Sequence, residues 1–242
     1  MYKILLLGDS YGAKIPTWNM NFPYKQKAWH QLLKSKYKVT NFCRGASGLD
    51  YSYMMLNQKD TDVHKFDKII FLVSDPRRFY LHPDFHDTVG YPHFNWHAAE
   101  PKTKSKDRNH VNKILQEYIK YFMHTDIWTH RYHLMVRDLK VRFHKKILLL
   151  KCFDILNTTK VDFFFDNKMP LHGITKHEEQ TLDIHDDWKM NHMLVLHHTM
   201  LYRKIAEWIE TDEFSLTKDD LIKLPKSLES YEEYVYGKKS LT

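Results

Sequence analysis

The chain predicts a doubly wound α/β fold, a parallel sheet with helices on both faces, and three observations carry that expectation. Continuous apolar runs at Lys3–Leu7, Lys68–Val73 and Lys146–Lys151, with Lys38–Phe42 a weaker fourth, have the length and unbroken hydrophobicity of strands buried on both faces. Helix-period patterns lie between these runs, and strand–helix alternation of this kind builds a layered parallel sheet. The 242 residues, 43% apolar and 14% aromatic, suffice for one sizeable core.

Taken in order, the helical patterns begin with Lys25–Leu33, which carries Ala28, Trp29, Leu32 and Leu33 on one face. Tyr51–Leu56 is short and apolar. Val111–Met123 and Trp128–Phe143 form a longer stretch, with Ile114, Leu115, Tyr118, Ile119 and Phe122 at helical spacing. Met193–Ile209 has Leu194, Leu201, Ile205 and Ile209 among its apolar positions, and His197 and His198 read as residues of its outer surface. Two segments fall outside the alternation. Leu81–His110 is polar, aromatic and histidine-bearing, long enough for a lid or binding loop. Thr211–Thr242 has mixed charge and reads as an appendage. The expected organisation is therefore a domain over 1–210, with an insertion at 81–110, followed by an appendage over 211–242.

Cys43 and Cys152 are the only cysteines, a sparse count that suits a reducing compartment better than a disulfide scaffold. The apolar run Ile4–Leu7 is too short for a signal peptide and no small-residue cleavage site follows it, so the expectation is a chain made in the cytoplasm without a leader. No stretch reaches the roughly 18 apolar residues of a membrane span. The formal net charge of +7 attracts polyanions, an acidic polysaccharide among them. The lysines are spread along the chain and no nucleic-acid motif is recognisable, so nucleic acid is not the expected partner.

The residues that carry chemistry sit near the two ends. The first strand leads into Gly8-Asp9-Ser10, which puts a serine at the carboxyl edge of a sheet, where α/β folds bind ligands. If a helix starts directly after it, the Ser10 N–H helps to bind an oxyanion. The bland alternative is a helix cap. Far along the chain, Asp186-Asp187-Trp188-Lys189-Met190-Asn191-His192 ends just before the last helical pattern. A histidine there can reach a serine on the first strand, and a carboxylate shortly before it can orient the ring.

This arrangement resembles the SGNH hydrolases, also called GDSL esterases, whose first block is Gly-Asp-Ser after the first strand. Their second block supplies a glycine N–H to the oxyanion hole, and Asn41-Phe42-Cys43-Arg44-Gly45-Ala46-Ser47-Gly48 looks like it, with Gly48 the best match. Their last block places Asp and His before the final helix. The resemblance spans residues 3 to 209 and implies a three-layer, flavodoxin-like sheet. It also implies a Ser10–His192–Asp187 triad, with Asp186 as the fallback acid, and no metal or cofactor.

Two departures stand out. The family's third block, Gly-x-Asn-Asp, donates an asparagine amide to the oxyanion, but here the third strand runs into Ser74-Asp75-Pro76-Arg77-Arg78. Ser74 is the candidate replacement donor, and Asp9, Arg77 and Arg78 are candidate substrate-binding residues. The usual Asp-x-x-His is also absent, because position 189 is Lys. Asp187 precedes His192 by five residues, a spacing found in divergent, often phage-encoded members, for which a virion location is the matching expectation.

The function expected is hydrolysis of short acyl esters, with O-acetyl groups on a carbohydrate as the leading substrate. Two rivals stand beside it. A degenerate SGNH fold could serve as a structural or carbohydrate-binding module, since the missing asparagine permits it and Phe79, Tyr80, Phe85, Tyr91, Phe94 and Trp96 are available for stacking. A metal-dependent phosphoesterase matches Gly8-Asp9-x-x-Gly12 and Asn191-His192, but the chain lacks a second Gly-Asp block and a His-x-His pair.

Overall fold

The computed structural model describes residues 1–13, 28–45, 47–75, 78–80, 93–95, 117, 125–153, 162–174, 193, 195–217 and 219–220. The strands are β1 (Lys3–Leu7), β2 (Lys38–Asn41), β3 (Lys68–Val73), β4 (Arg78–Tyr80), β5 (His93–Asn95) and β6 (Ile147–Lys151). The longer helices are α1 (Trp29–Lys36), α2 (Leu49–Asn57), α3 (Thr125–Phe143) and α4 (Val195–Thr211). Four strands pair in parallel in the order β2-β1-β3-β6, while β4 and β5 form a separate antiparallel pair with Phe79 opposite Phe94. The main sheet is in register with Ile4 beside Val39 and Lys68, and Phe71 beside Leu7 and Leu149.

Alternation along each strand sorts the core into two layers. Ile4, Leu6, Ile70, Leu72, Leu148 and Leu150 meet Trp29 and Leu33 of α1 and Leu201, Ile205 and Trp208 of α4. Leu5, Leu7, Ile69, Phe71, Ile147 and Leu149 meet Leu49 and Leu56 of α2 and Tyr132, Val136 and Leu139 of α3. Burying each of these side chains contributes roughly 1.5–3 kcal/mol before the entropy of ordering is set against it. Right-handed crossovers explain the division. The step from β1 to β2 runs one way across the sheet, so α1 falls on one face. The steps from β2 to β3 and from β3 to β6 run the other way, which carries α2 and α3 to the opposite face.

Element ends shift by a few residues from the sequence expectation. α1 starts at Trp29, where the Gln31 side chain accepts from the Ala28 N–H at 2.9 Å, and it continues to Lys36. β6 starts one residue late because His144–Lys146 form a 3₁₀ turn. Residues 25–27 and most of 111–124, the insertion and the appendage lie outside the described residues. At the head of the appendage, Leu216 is buried in the α1/α4 layer, and Lys204 pairs with Asp220 at 2.9 Å.

The reading of His197 and His198 as outer-surface residues is corrected: both are buried, and His198 Nδ1 accepts from the Trp29 N–H at 3.3 Å, tying α4 to the start of α1. His30, also buried, has its pKa pushed from 6.5 to about 4, first by burial and then by the Lys34 ammonium, so it is neutral at pH 7.

Among the described residues, Asp166 and Asn167 meet the outer edge of β6, mostly through their side chains. The Leu149 N–H donates to Asp166 Oδ2 at 2.7 Å and its carbonyl accepts from the Asp166 N–H at 2.9 Å. The Lys151 N–H donates to Asn167 Oδ1 at 2.7 Å, and Asn167 Nδ2 donates back to the Lys151 carbonyl at 2.9 Å and to the Met169 carbonyl at 2.7 Å. Asn167→Ala is expected to cost about 1–3 kcal/mol in urea unfolding, because it leaves the buried Lys151 N–H and carbonyl without these partners. A change inside experimental error would show that the Asn167 amide contributes nothing net at this edge.

Candidate active site

Strand order fixes where a site can form. The chain leaves β1 toward β2, returns past it to β3, and so reverses direction between β1 and β3. Ligands bind in the crevice outside the carboxyl ends of strands at such a reversal. Gly8-Asp9-Ser10 leaves β1 there, the 42–48 segment leaves β2, and Ser74-Asp75 leaves β3.

Gly8 makes the exit from β1 possible. Its φ is +141°, and a Cβ on it would sit 2.7 Å from the Leu72 carbonyl oxygen and collide with the Leu72 Cβ. The Gly8 carbonyl accepts from Ser47 Oγ at 2.9 Å and from the Arg44 N–H at 3.0 Å. A turn follows, closed by the Gly12 N–H donating to the Asp9 carbonyl at 3.1 Å. Asn41 Nδ2 donates to the Gly12 carbonyl at 2.8 Å, and Trp29 Nε1 donates to the Tyr11 carbonyl at 2.9 Å. The backbone on both sides of Ser10 is thus pinned by three different elements. Asp9 and Tyr11 are buried, whereas Ser10 between them is half-buried. The conditional helix directly after Ser10 is not present, because residues 9–13 turn and bend and the next described helix is α1.

Asp9, the candidate substrate contact, lies at the start of this turn. It is fully buried, and its Oδ1 accepts from the Tyr11 N–H at 3.1 Å and from the Cys152 thiol at 3.7 Å. Its carboxylate is directed into the protein and shapes the Ser10 turn. Packing around the Cys43 sulfur, and then the Asp9 carboxylate, push that thiol well above its usual range, and Cys43 and Cys152 are not joined in a disulfide.

Gly48 occupies the N-cap of α2 in an extended conformation, φ −87° and ψ 169°, so the amino end of a helix opens on this edge of the sheet. Ser74, directly beyond β3, is buried. Arg78 begins β4, and its side chain lies outside the described residues, as do Arg77, Asp186, Asp187 and His192. Met193, next to His192, is buried in the α1/α4 layer. Among the described residues no three His, Cys, Asp or Glu side chains are grouped as a metal ion would need.

Several residues at this edge gave no sign in the sequence. The Tyr11 hydroxyl lies 3.4 Å from His172 Nδ1, across 161 residues of chain. Phe153 meets both rings, at 5.8 Å from Tyr11 and 5.6 Å from His172. No local pattern announces such a contact. Ser47 and Asn41 lie in the segment already singled out, but only the observed pairing shows what their side chains hold.

No protein-family profile matches the chain, and no curated protein does. Among solved structures it is similar to the crystal structure of an acetyl xylan esterase, with 15% identity and a TM-score of 0.31, covering 91% of this chain and 80% of that one. Among the described residues no helix is long and apolar enough to cross a membrane.

Proposed function

We propose that the protein is a serine ester hydrolase of the SGNH type, with that class's three-layer arrangement. Ser10 acts as nucleophile, His192 as general base and Asp187 as the acid orienting its ring, with Asp186 the alternative. One observation carries the reading: at the β1/β3 reversal the chain buries Asp9 and Tyr11 and leaves Ser10 half-buried between them, on a turn pinned from both sides. A hydroxyl so held meets the positional demand of nucleophilic catalysis. Cys43, in the segment alongside, is held as the thiol and is no competitor for the role.

In the proposed reaction His192 takes the Ser10 proton as Oγ attacks the ester carbonyl, and the tetrahedral oxyanion accepts from the Ser10 and Gly48 N–H groups. The Ser74 hydroxyl takes the place of the family's asparagine, and Arg77 and Arg78 bind substrate. Treatment with a fluorophosphonate, followed by peptide mass mapping, tests this. The adduct is expected on Ser10, and an unlabelled Ser10 in folded protein would overturn the assignment.

For substrate we propose short acyl esters, O-acetyl groups on a carbohydrate foremost. The Leu81–His110 insertion mixes aromatic with polar residues, which suits a stacking, polar ligand better than a long acyl chain. The net charge of +7 draws acidic polysaccharide, an attraction that weakens as salt rises. kcat/KM is expected to be higher for p-nitrophenyl acetate than for the palmitate ester. The reverse order would make the enzyme lipase-like.

A further inference from the structure

We propose that His172 is a positioning residue for the Ser10 turn, acting through the Tyr11 hydroxyl; this rests on Ser10 being the nucleophile. Tyr11 is the next residue in the chain, so its placement sets that of Ser10. Its N–H is held by the Asp9 carboxylate and its carbonyl by the Trp29 indole, and its side chain adds a link to another part of the edge. That side chain is buried and reaches toward the exit of β6, where its hydroxyl stands 3.4 Å from His172 Nδ1. His172 is fixed in turn, because its N–H donates to the Cys152 carbonyl at 2.7 Å and its ring leans on Phe153, with 40° between the planes. The contact therefore joins the segments leaving β1 and β6, whose strands flank β3, from which Ser74 emerges.

Packing alone would not need this polar pair, since a phenylalanine at position 11 would fill the same space. The hydroxyl–imidazole contact adds direction. It is a long contact for a hydrogen bond, and contacts of this kind tighten when substrate binds. A nucleophile displaced by about 1 Å can lose on the order of 10²-fold in rate, so a contact that holds the turn in place acts on kcat.

The test uses the full-length protein with p-nitrophenyl acetate and a fluorophosphonate. Tyr11→Phe is expected to lower kcat roughly tenfold with KM little changed, and to slow Ser10 labelling in proportion. His172→Leu is expected to match it. His172→Asn, whose carboxamide stands near the Nδ1 position, is expected to restore most of the rate at the thermal midpoint of His172→Leu. The Tyr11→Phe/His172→Leu double variant is expected to be no slower than the slower single one. Wild-type labelling rates in Tyr11→Phe would overturn the proposal while leaving the esterase reading intact. Additive losses in the double variant, or rates that follow only the thermal midpoint, would do the same. Absence of Ser10 labelling in the wild type would overturn both. Should His172→Leu fail to fold, Tyr11→Phe and His172→Asn decide the matter by themselves.

Discussion

Ser10→Ala is expected to lower kcat for p-nitrophenyl acetate by roughly 10⁴-fold or more and to abolish fluorophosphonate labelling. The loss is that large because neither Cys43 nor Asp9, the described residues that flank the turn, takes over from the hydroxyl. Cys43 is held as the thiol, and Asp9 is turned inward beneath the turn. The fold should hardly respond. The bonds that pin the turn come from Gly8, Asp9, Tyr11 and Gly12, which keep their partners. The informative result is therefore a pair of measurements, turnover nearly gone and the urea midpoint close to wild type. Turnover within about tenfold of wild type would remove Ser10 from the nucleophile's role.

Gly8→Ala is expected to destabilise the protein by about 4 kcal/mol or more, enough to unfold a domain of ordinary stability in part at room temperature. Two effects act together. A φ of +141° is strained for any residue with a Cβ, and the added methyl meets Leu72 at its Cβ, its Cα and its carbonyl oxygen. Those atoms belong to the backbone core of β3, which is held between β1 and β6 and cannot retreat. Trimming Leu72 to alanine should bring no relief, since the Cβ and the carbonyl remain. At Gly12 an added methyl meets the Cys43 sulfur and a Leu72 methyl, both ends of side chains that can swing aside. An unfolding free energy for Gly8→Ala within about 1 kcal/mol of wild type would show that the exit from β1 relaxes more easily than its geometry implies.

The central strands were legible to the residue. β1 and β3 are enclosed on both faces, so burial writes an unbroken apolar run into the sequence, and Gly8 and Ser74 end those runs. β2 lies at the sheet's edge and is only half-buried, and the apolar pattern Lys38–Phe42 extends one residue beyond it. Helical period also carried information that residue type obscured. Counting back four and three positions from the buried Leu201 reaches His197 and His198, so their burial lay in the spacing, yet their polarity argued for the surface. Asp9 shows the opposite limit. Its place in Gly-Asp-Ser was plain, but its inward orientation depends on Cys152, which is 143 residues away in the chain. The Tyr11–His172 contact is of the same kind. Of the proposed triad, Ser10 falls among the described residues and Asp187 and His192 outside them.

The side-chain cover on β6 has a consequence for how the molecule behaves among its copies. Ile147-Leu148-Leu149-Leu150-Lys151 is apolar and β-prone, and with its outer N–H and carbonyl groups open it would template the addition of a strand from another chain. Asp166 and Asn167 occupy those groups at Leu149 and Lys151, and the Lys140 ammonium, 2.7 Å from Asp166, sets a charge against the rim. At the opposite edge β2 is only four residues long and starts with a lysine. Both edges of the described sheet thus discourage fibre-like growth, so substitutions at 166 and 167 are expected to surface first as aggregation at high concentration.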